Sequence, residues 1–259
     1  MFLNSNAKSK QIMARILITG SSDGLGKLAA EKLIATGHQV VLHARNNERA
    51  KLLKSQFTSS FPILIADLSN LEETRKLALE ANDLGKFDAV IHNAGVLHAD
   101  SKTIFQVNVL APFVLTAILE KPNRLIYLSS SMHLGGKEFC EKSQLEKTTY
   151  SDSKLMITAL TAAFARLYPK VRCNSVDPGW VPTKMGGKNA PDDMQKGVET
   201  QIWLATSEEK EAKVSGKYFR HKQLKSPHPA VFNEAYQNRL IHWCEEVSNI
   251  LISNPNSSP

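Results

Sequence analysis

A tyrosine and a lysine stand four residues apart in the segment TYSDSKL, residues 149–155. Residues at this spacing share one face of an α-helix, so the ends of Tyr150 and Lys154 can converge. A nearby cation favours the phenolate and lowers the pKa of a phenol from its ordinary value of about 10. The spacing therefore indicates a phenol that exchanges protons near neutrality. Taken alone, the segment equally fits an ordinary helical turn with a half-buried tyrosine and a solvated lysine, and that interpretation is the commoner one.

A glycine-rich segment, TGSSDGLG, lies between an apolar run and a helical pattern. Gly20 suits a tight exit from a strand, Gly24 lets backbone N–H groups approach a phosphate, and Gly26 lets the next helix pack closely on a sheet. The N-terminus of that helix adds the positive end of a dipole. The spacing does not fit a Walker A loop, which needs four residues between its glycines and then Lys and Ser or Thr. A plain turn is the alternative.

The second apolar run ends in the residues HAR. NAD-preferring enzymes carry an acid near this point, roughly 20 residues past the glycines, to bind the ribose diol. Arg45 stands there instead, and a guanidinium can bind a 2′-phosphate through two hydrogen bonds. Arg45 therefore favours NADP, unless it is a plain surface arginine. Asp67 can meet an adenine edge or cap the next helix, whereas Asp23 would repel a 2′-phosphate if it pointed inward.

The elements that must position these residues alternate along the chain. Apolar runs predict strands and 3.6-residue periodicity predicts helices. Strands are expected at 14–20, 38–45, 62–68, 87–95, 123–131, 171–180 and 216–220. This alternation predicts an α/β single-domain Rossmann fold, a doubly wound, mostly seven-stranded parallel sheet with helices on both faces. Ligands should bind beyond the carboxyl ends of the strands, where the strand order reverses.

Composition restricts the other possibilities. The chain has 259 residues, with 42% hydrophobic and 22% charged residues, which fits one domain. Its formal charge of +7 comes from basic residues scattered along the sequence, so nucleic-acid binding is not indicated. The three cysteines are widely spaced and form no CxxC pair, which favours a cytoplasmic location and neither a disulfide framework nor a metal site.

The ends of the chain and its longest apolar runs complete this picture. No apolar run reaches about 18 residues, so no membrane span is expected. Residues 1–13 form a polar extension without the features of a signal peptide. The domain is expected to cover residues 14–250, and residues 251–259 are expected to be a disordered tail.

Several motifs together resemble the short-chain dehydrogenase/reductase family, in the single-domain branch that includes retinol-dehydrogenase-like enzymes and bacterial ketoreductases. They occur in the family's order and near its spacings: TGSSDGLG at 19–26, HNAG at 92–95, Asn108 in FQVNVLAP, YLSSS at 127–131, YSDSK at 150–154 and DPGWVPT at 177–183. No single motif is decisive, but the ordered set is specific.

The resemblance implies a catalytic set of Asn108, Ser130, Tyr150 and Lys154. Tyr150 would be the acid–base, and Lys154 would lower its pKa and bind the nicotinamide ribose. Ser130 would hold the substrate oxygen, with Ser129 and Ser131 as rivals for that role. Asn108 would bind a water that links Lys154 to solvent, or else would satisfy a helix kink.

The resemblance also implies a cofactor set, in which NADP(H) is favoured over NAD(H). The loop that begins at Pro178 would cover the nicotinamide, with the Val181 backbone N–H and Thr183 on its carboxamide. The cofactor-binding residues expected are Gly20, Ser22, Asp23, Gly24, Leu25, Gly26, Arg45, Asp67, Leu68, Asn93, Ala94, Gly95, Tyr150, Lys154, Pro178, Gly179, Val181 and Thr183.

A substrate pocket is expected at Ser130, Met132, His133 and Trp180, whose apolar members suit an apolar carbonyl compound. The family then implies an NADPH-dependent oxidoreductase, a carbonyl reductase or alcohol dehydrogenase, acting on a small-molecule ketone, aldehyde or secondary alcohol. The alternatives are an isomerase or dehydratase that retains its cofactor, and a non-catalytic NADP-sensing interaction protein. A homodimer or homotetramer is possible, although the segment after Gly95 is short for the usual dimer-forming helix.

Overall fold

The computed structural model describes residues 13–57 and 61–252. The polar extension expected at residues 1–13 and the tail expected at residues 251–259 lie outside the described residues, apart from Met13, Leu251 and Ile252.

The described residues form alternating strands and helices. The strands are β1 (Arg15–Ile18), β2 (Gln39–Ala44), β3 (Ile63–Ile65), β4 (Ala89–His92), β5 (Arg124–Leu128), β6 (Arg172–Asp177), β7 (Lys217–Arg220) and β8 (Gln223–Lys225). The α-helices are α1 (Gly24–Ala35), α2 (Asn47–Gln56), α3 (Leu71–Asp83), α4 (Ser101–Phe105), α5 (Ala111–Ile118), α6 (Tyr150–Leu167), α7 (Met194–Thr206) and α8 (Glu234–Ser248).

The strands form one sheet in the order β3-β2-β1-β4-β5-β6-β7-β8. β1 through β7 pair in parallel and β8 pairs antiparallel with β7, which confirms the predicted α/β fold. The chain runs outward from β1 in one direction to β3 and then returns to β4 on the other side of β1. The strand order therefore reverses between β1 and β4, which is where the glycine loop leaves the sheet.

The eighth strand was not predicted. β7 and β8 are joined by His221 and Lys222, whose φ angles are +50° and +60°. Such two-residue hairpin turns usually contain Asn or Gly, so the sequence carries no turn signal here. Helix α7 supports the turn, because Thr200 Oγ1 accepts a hydrogen bond from the Lys222 N–H at 2.9 Å and Glu199 pairs with the Lys222 ammonium at 2.7 Å.

The core lies on both faces of the sheet, as a parallel sheet requires. Alternate residues of β1 face opposite layers, with Leu17 in one buried cluster and Ile16 and Ile18 in the other. The first cluster also takes in α8, through the buried side chains of Tyr236 and Leu240. Packing on both faces holds the strand ends, and the loops that follow them, in fixed relative positions.

The apolar segment at residues 104–119, IFQVNVLAPFVLTAIL, predicts one long helix, but in the structure this helix is divided. A π-helical turn, Gln106–Leu110, separates α4 from α5. Pro112 lacks the N–H that an α-helix would direct at the carbonyl of Asn108, so regular α-helical bonding stops at this point. Residues 101–118 have the length and hydropathy of a membrane-spanning helix, yet 67% of the segment is buried inside the protein, as a core helix would be.

Candidate active site

The glycine loop is held against the end of β4. Gly20 has a φ of +65°, and a Cβ there would lie 2.9 Å from the Cα of Ala94. A Cβ on Gly26 would lie 2.3 Å from Asn93 Nδ2 and 2.4 Å from the Gly20 carbonyl oxygen, so only glycine fits. Asn93 donates to the carbonyls of Thr19 and Gly20 at 3.0 and 3.1 Å. Asn93 and Ala94 therefore shape the loop itself, in addition to the cofactor-binding role that is expected of them.

His43 holds the same loop from the other side and was not predicted as a site residue. Its Nδ1 accepts from the Gly20 N–H at 2.8 Å, and its Nε2 donates to the Ala66 carbonyl at 3.0 Å. Its backbone N–H donates to Ser21 Oγ at 2.7 Å. Burial lowers the pKa of His43 to about 4, so the ring is neutral and keeps this pattern at physiological pH.

A groove of about 510 Å³ runs along the carboxyl ends of β1, β2, β4 and β5. Most of the predicted cofactor residues line it: Gly20, Ser22, Asp23, Gly24, Leu25, Arg45, Asp67, Leu68, Asn93, Ala94, Gly95, Tyr150, Lys154, Pro178 and Thr183. Gly26, Gly179 and Val181 do not line it. Gly26 and Val181 are buried, and Gly179 follows β6 with its N–H donating to Asp177 Oδ1 at 2.9 Å.

Asp23 faces the groove in the company of two cations. Its carboxylate caps α1 by accepting from the Gly24 N–H at 2.9 Å. The same carboxylate pairs with Lys184 at 2.5 Å and with Arg49 at 3.4 Å. Although partial burial raises the pKa of Asp23, the hydrogen bonds and the two cations lower it overall. The two cations balance the negative charge of Asp23, and this offsets the repulsion of a 2′-phosphate that the sequence predicted.

Arg45 is exposed at the end of β2 and lines the groove. Among the described residues, no acidic side chain forms an ion pair with it. Its guanidinium is therefore available to an anion. Arg49 and Lys184 also line the groove and were missed, because their proximity depends on α2 and on the loop before α7 folding toward Asp23.

Tyr150 begins α6, and Lys154 follows it on the same helix. Thr149 and Asp152 begin the helix as a capping box, so the position of Tyr150 at its first residue is well defined. Lys154 lies one turn later, with Nζ 5.4 Å from the centroid of the Tyr150 ring. The Lys154 ammonium is buried and donates to the Leu128 carbonyl at the end of β5 at 2.7 Å. The predicted convergence of the two side chains at one helix face is present.

The predicted effect of this spacing on the phenol is wrong for the protein alone. Burial raises the pKa of Tyr150 to about 12, the Ser130 side chain lowers it in part, and the Asp177 carboxylate raises it further. Burial also lowers the pKa of Lys154 to about 8, opposed by Asp177. Desolvation is the largest effect on both groups, and the Lys154 ammonium donates to the Leu128 carbonyl. The phenol is consequently protonated at neutral pH.

The structure separates the three candidate serines. Ser129 is buried, and its hydroxyl bonds Thr158 Oγ1 of α6 at 2.7 Å. Ser131 is exposed and begins a 3₁₀ turn, Ser131–Gly135. Ser130 caps that turn, accepting from the Met132 N–H at 3.2 Å, and its side chain interacts with the Tyr150 phenol. Ser130 is thus the serine that meets the tyrosine.

Comparison with known proteins agrees with this arrangement. The model of the short chain dehydrogenase family matches residues 14–194, more than half of the chain. The chain belongs to the short-chain dehydrogenase/reductase family. It is 41% identical to the short-chain dehydrogenase chyC of Penicillium rubens, over 92% of this chain and 98% of that protein.

Two more distant proteins resemble the chain, one in its sequence and one in its fold. Mouse retinol dehydrogenase 13 is 27% identical, over 94% of this chain and 86% of its own length, in line with the predicted resemblance to retinol-dehydrogenase-like members. The crystal structure of a short chain dehydrogenase from Shigella flexneri 2a, complexed with NADP, shares the fold with a TM-score of 0.66 and 24% identity, over 83% of this chain and all of that chain.

Asn108, the fourth member of the predicted catalytic set, lies in the π-helical turn and is buried. Its Oδ1 accepts from the Val96 N–H at 2.8 Å, and its amide nitrogen donates to the Val96 carbonyl at 2.9 Å and to Ser153 Oγ at 3.0 Å. Both amide hydrogens are used within the protein. The side chain therefore ties the loop after β4 to α6, as the kink-satisfying interpretation predicts.

The residues expected to wall the substrate pocket do not line the groove. Met132 and Trp180 are exposed, at 49% and 59%, on the loops that follow the neighbouring strands β5 and β6. The Trp180 indole is fixed by donating to the Gly186 carbonyl at 2.7 Å. His133 was wrongly placed in the pocket: it is fully buried, and both of its ring nitrogens bond backbone groups. Of the residues expected in the substrate pocket besides Ser130, the exposed apolar side chains of Met132 and Trp180 are the ones still accessible to a substrate.

Proposed function

We propose that this family member is an NADPH-dependent carbonyl reductase, or an alcohol dehydrogenase in the reverse sense. The observation that carries the proposal is that Tyr150 and Lys154 line the groove that the glycine loop begins, with the Ser130 side chain next to the Tyr150 phenol. A protein that only binds the dinucleotide would need the groove. It would not need a protonated phenol next to a serine hydroxyl.

A dinucleotide fits the residues present. Gly20 and Gly26 leave the loop without side chains at the positions where a Cβ would collide with the backbone, so the N-terminus of α1 is open to a pyrophosphate. The unpaired Arg45 is suited to a 2′-phosphate, and the balanced charge of Asp23 leaves that preference in place. The NADP bound by the Shigella flexneri protein supports the same preference.

The dinucleotide, when bound, supplies or accepts the hydride. Tyr150, whose phenol is protonated in the cofactor-free protein, donates its proton to the oxygen of the carbonyl substrate. Ser130 holds the same oxygen and stabilises the charge that develops there. Lys154 lies within reach of the groove and would bind the nicotinamide ribose, while its bond to the Leu128 carbonyl keeps the ammonium oriented.

The substrate proposed is a mainly apolar ketone, aldehyde or secondary alcohol. Met132 and Leu134, on the turn after β5, expose 49% and 55% of their surfaces, and Trp180 on the next loop exposes 59%. Exposed apolar side chains on loops that follow two neighbouring strands, at the carboxyl edge of the sheet where the groove lies, support an apolar ligand.

The test mixes the protein with NADPH and a panel of aldehydes and ketones and follows the absorbance of reduced nicotinamide. Turnover of some panel members, with apolar compounds ahead of polar ones, is expected. NADPH binding without turnover across a broad panel would contradict the reductase and favour a non-catalytic binder. Product formation without a change in reduced nicotinamide would favour an isomerase or dehydratase.

Two further expectations belong to this proposal. A cytoplasmic location is proposed from the three cysteines, all free in the structure, and fractionation of cells would test it. A homodimer or homotetramer stays a prediction, and light scattering would measure the mass of the particle in solution. The face of α6 that meets Tyr236 and Leu240 is already covered by α8, so a dimer would have to use another surface.

A further inference from the structure

The position of Ser130 depends on a short and intrinsically weak element. Ser130 caps the five-residue 3₁₀ turn Ser131–Gly135 that follows β5. Within this turn the His133 N–H donates to the Ser130 carbonyl at 3.1 Å. A turn of this type has poorer hydrogen-bond geometry than an α-helix and rarely extends further. The direction of the Ser130 hydroxyl therefore needs support beyond the backbone hydrogen bonds of the turn.

The His133 side chain provides that support. Its Nδ1 lies 2.7 Å from the Ser130 carbonyl oxygen. A carbonyl only accepts, so Nδ1 carries the hydrogen, and Nε2 of the neutral ring must then be an acceptor. Nε2 does accept, from the backbone N–H of His228 at 3.0 Å. One tautomer satisfies both contacts.

These contacts join the serine turn to two other parts of the protein. The His133 ring packs on the Tyr218 ring of β7, with centroids 4.6 Å apart. His228 caps the 3₁₀ turn Pro229–Phe232, which packs against α6. The serine turn is therefore tied to the sheet and, through His228, to the helix that carries Tyr150.

An apolar residue would fill the same space without the risk of an unpaired polar atom. Burying a ring nitrogen without a partner is unfavourable, whereas a fully paired polar group fixes a single arrangement. His133 has 0% relative exposure and both ring nitrogens paired. The geometry suits the orientation of a neighbouring group better than the simple filling of a core.

We propose that His133 is a positioning residue, which holds the carbonyl of Ser130 and so fixes the Ser130 hydroxyl beside the Tyr150 phenol. The proposal rests on the proposed function, in which Ser130 binds the substrate oxygen. His133 contacts neither substrate nor cofactor in this role, because its ring is enclosed by the serine turn, β7 and the segment at His228.

Protonation of His133 would undo this support. A second ring proton on Nε2 would face the His228 N–H and replace an acceptor with a donor. The ionisable groups that face the ring are Asp177, His228 and Tyr218. Burial and His228 lower the pKa of His133, while the Ser130 carbonyl and Asp177 raise it, and the net direction is downward. The support is therefore present at neutral pH and is lost in acid.

Two substitutions test the role. His133→Asn keeps a side-chain N–H near the position of Nδ1, whereas His133→Leu removes it. We expect H133L to lower kcat roughly 10- to 100-fold, as misplacement of a reacting group by about 1 Å does. H133N should retain kcat within about threefold and lack the loss of activity in acid that the wild type shows. The Kd for NADPH should stay unchanged in both. His242→Leu, at an exposed histidine of α8, is the matched control and should behave as wild type.

Wild-type kcat in folded H133L would overturn the proposal, as would H133N losing as much activity as H133L. If H133L does not fold, ¹⁵N NMR of the cofactor-free wild type decides: an Nδ1–H tautomer that persists into mild acid supports the proposal, and an Nε2–H tautomer or a charged ring at neutral pH overturns it. Absence of turnover in the wild type would refute the proposed function instead, and the NMR result would stand apart from it.

Discussion

Arg45→Ala tests the cofactor preference most directly. Arg45 is exposed at the groove and unpaired among the described residues, so its removal breaks no contact of the cofactor-free protein. A hydrogen bond to a charged group contributes about 1.5–3 kcal/mol. Solvent exposure places Arg45 at the low end of that range. Since about 1.4 kcal/mol is a factor of ten, the Kd for NADPH should rise roughly 10- to 30-fold.

NADH lacks the 2′-phosphate, so its Kd should change by less than about threefold in the same variant. Lys51→Ala is the matched control: Lys51 is an exposed cation of α2 that does not line the groove, and its loss changes the net charge equally. Titration of each variant with both dinucleotides, by fluorescence or calorimetry, measures the four affinities that decide the matter.

Salt separates a local contact from the general field of a basic protein. Raising the ionic strength from about 0.1 M to about 1 M shortens the screening length from about 10 Å to about 3 Å. The NADPH advantage of the wild type should shrink under these conditions, and that of Arg45→Ala should change little. Equal losses for NADPH and NADH, or the same losses in Lys51→Ala, would refute the assignment of Arg45 to the 2′-phosphate.

Three other predictions test the charges and the acid–base of the site. Tyr150→Phe should lower turnover at least about 100-fold with the Kd for NADPH within about twofold, and a large loss of affinity would count against the assigned role. Asp23→Asn keeps the cap of α1 but frees Lys184 and Arg49, so NADPH should bind about three- to tenfold more tightly by calorimetry, and weaker binding would contradict this. Lys154 has a folded pKa of about 8 against an ordinary 10.5, so the unfolded chain binds more protons between these values. The free energy of unfolding should therefore rise with pH from about 8 to 10.5 relative to that of Lys154→Met, and a constant difference would show that the ammonium is not buried.

The sheet and its site edge could be predicted because their signals are local. The strands of a parallel sheet are buried on both faces, so Ile16–Ile18 and similar runs read as continuous apolar segments. Glycines that follow the first such run mark the loop whether or not its partners are known. The position of the site then follows from the direction of the strands, which end together at one edge.

The remaining features depend on partners far away in the sequence. Ser129 and Ser130 are equivalent in sequence, and their contacts in the fold separate them: Ser129 bonds Thr158 on α6, whereas Ser130 caps the turn that follows it. His133 reads as a pocket residue until its bond to the backbone at residue 228 is seen. The β7–β8 turn carries no glycine or asparagine, because α7 supports Lys222 in its place. Local propensity contains none of these contacts.

The direction of the Tyr150 pKa shift shows how burial overrides a local rule and what this means for the reaction. Helical spacing brings a cation to the phenol, but the fold also removes both groups from water and places Asp177 near each of them. Both changes favour the protonated phenol, and Ser130 offsets them only in part. A protonated phenol is the form that donates to a carbonyl oxygen, whereas oxidation of an alcohol needs the phenolate. We infer that the cofactor-free protein holds the Tyr150 phenol in its proton-donating form, which is the form that reduction of a carbonyl requires.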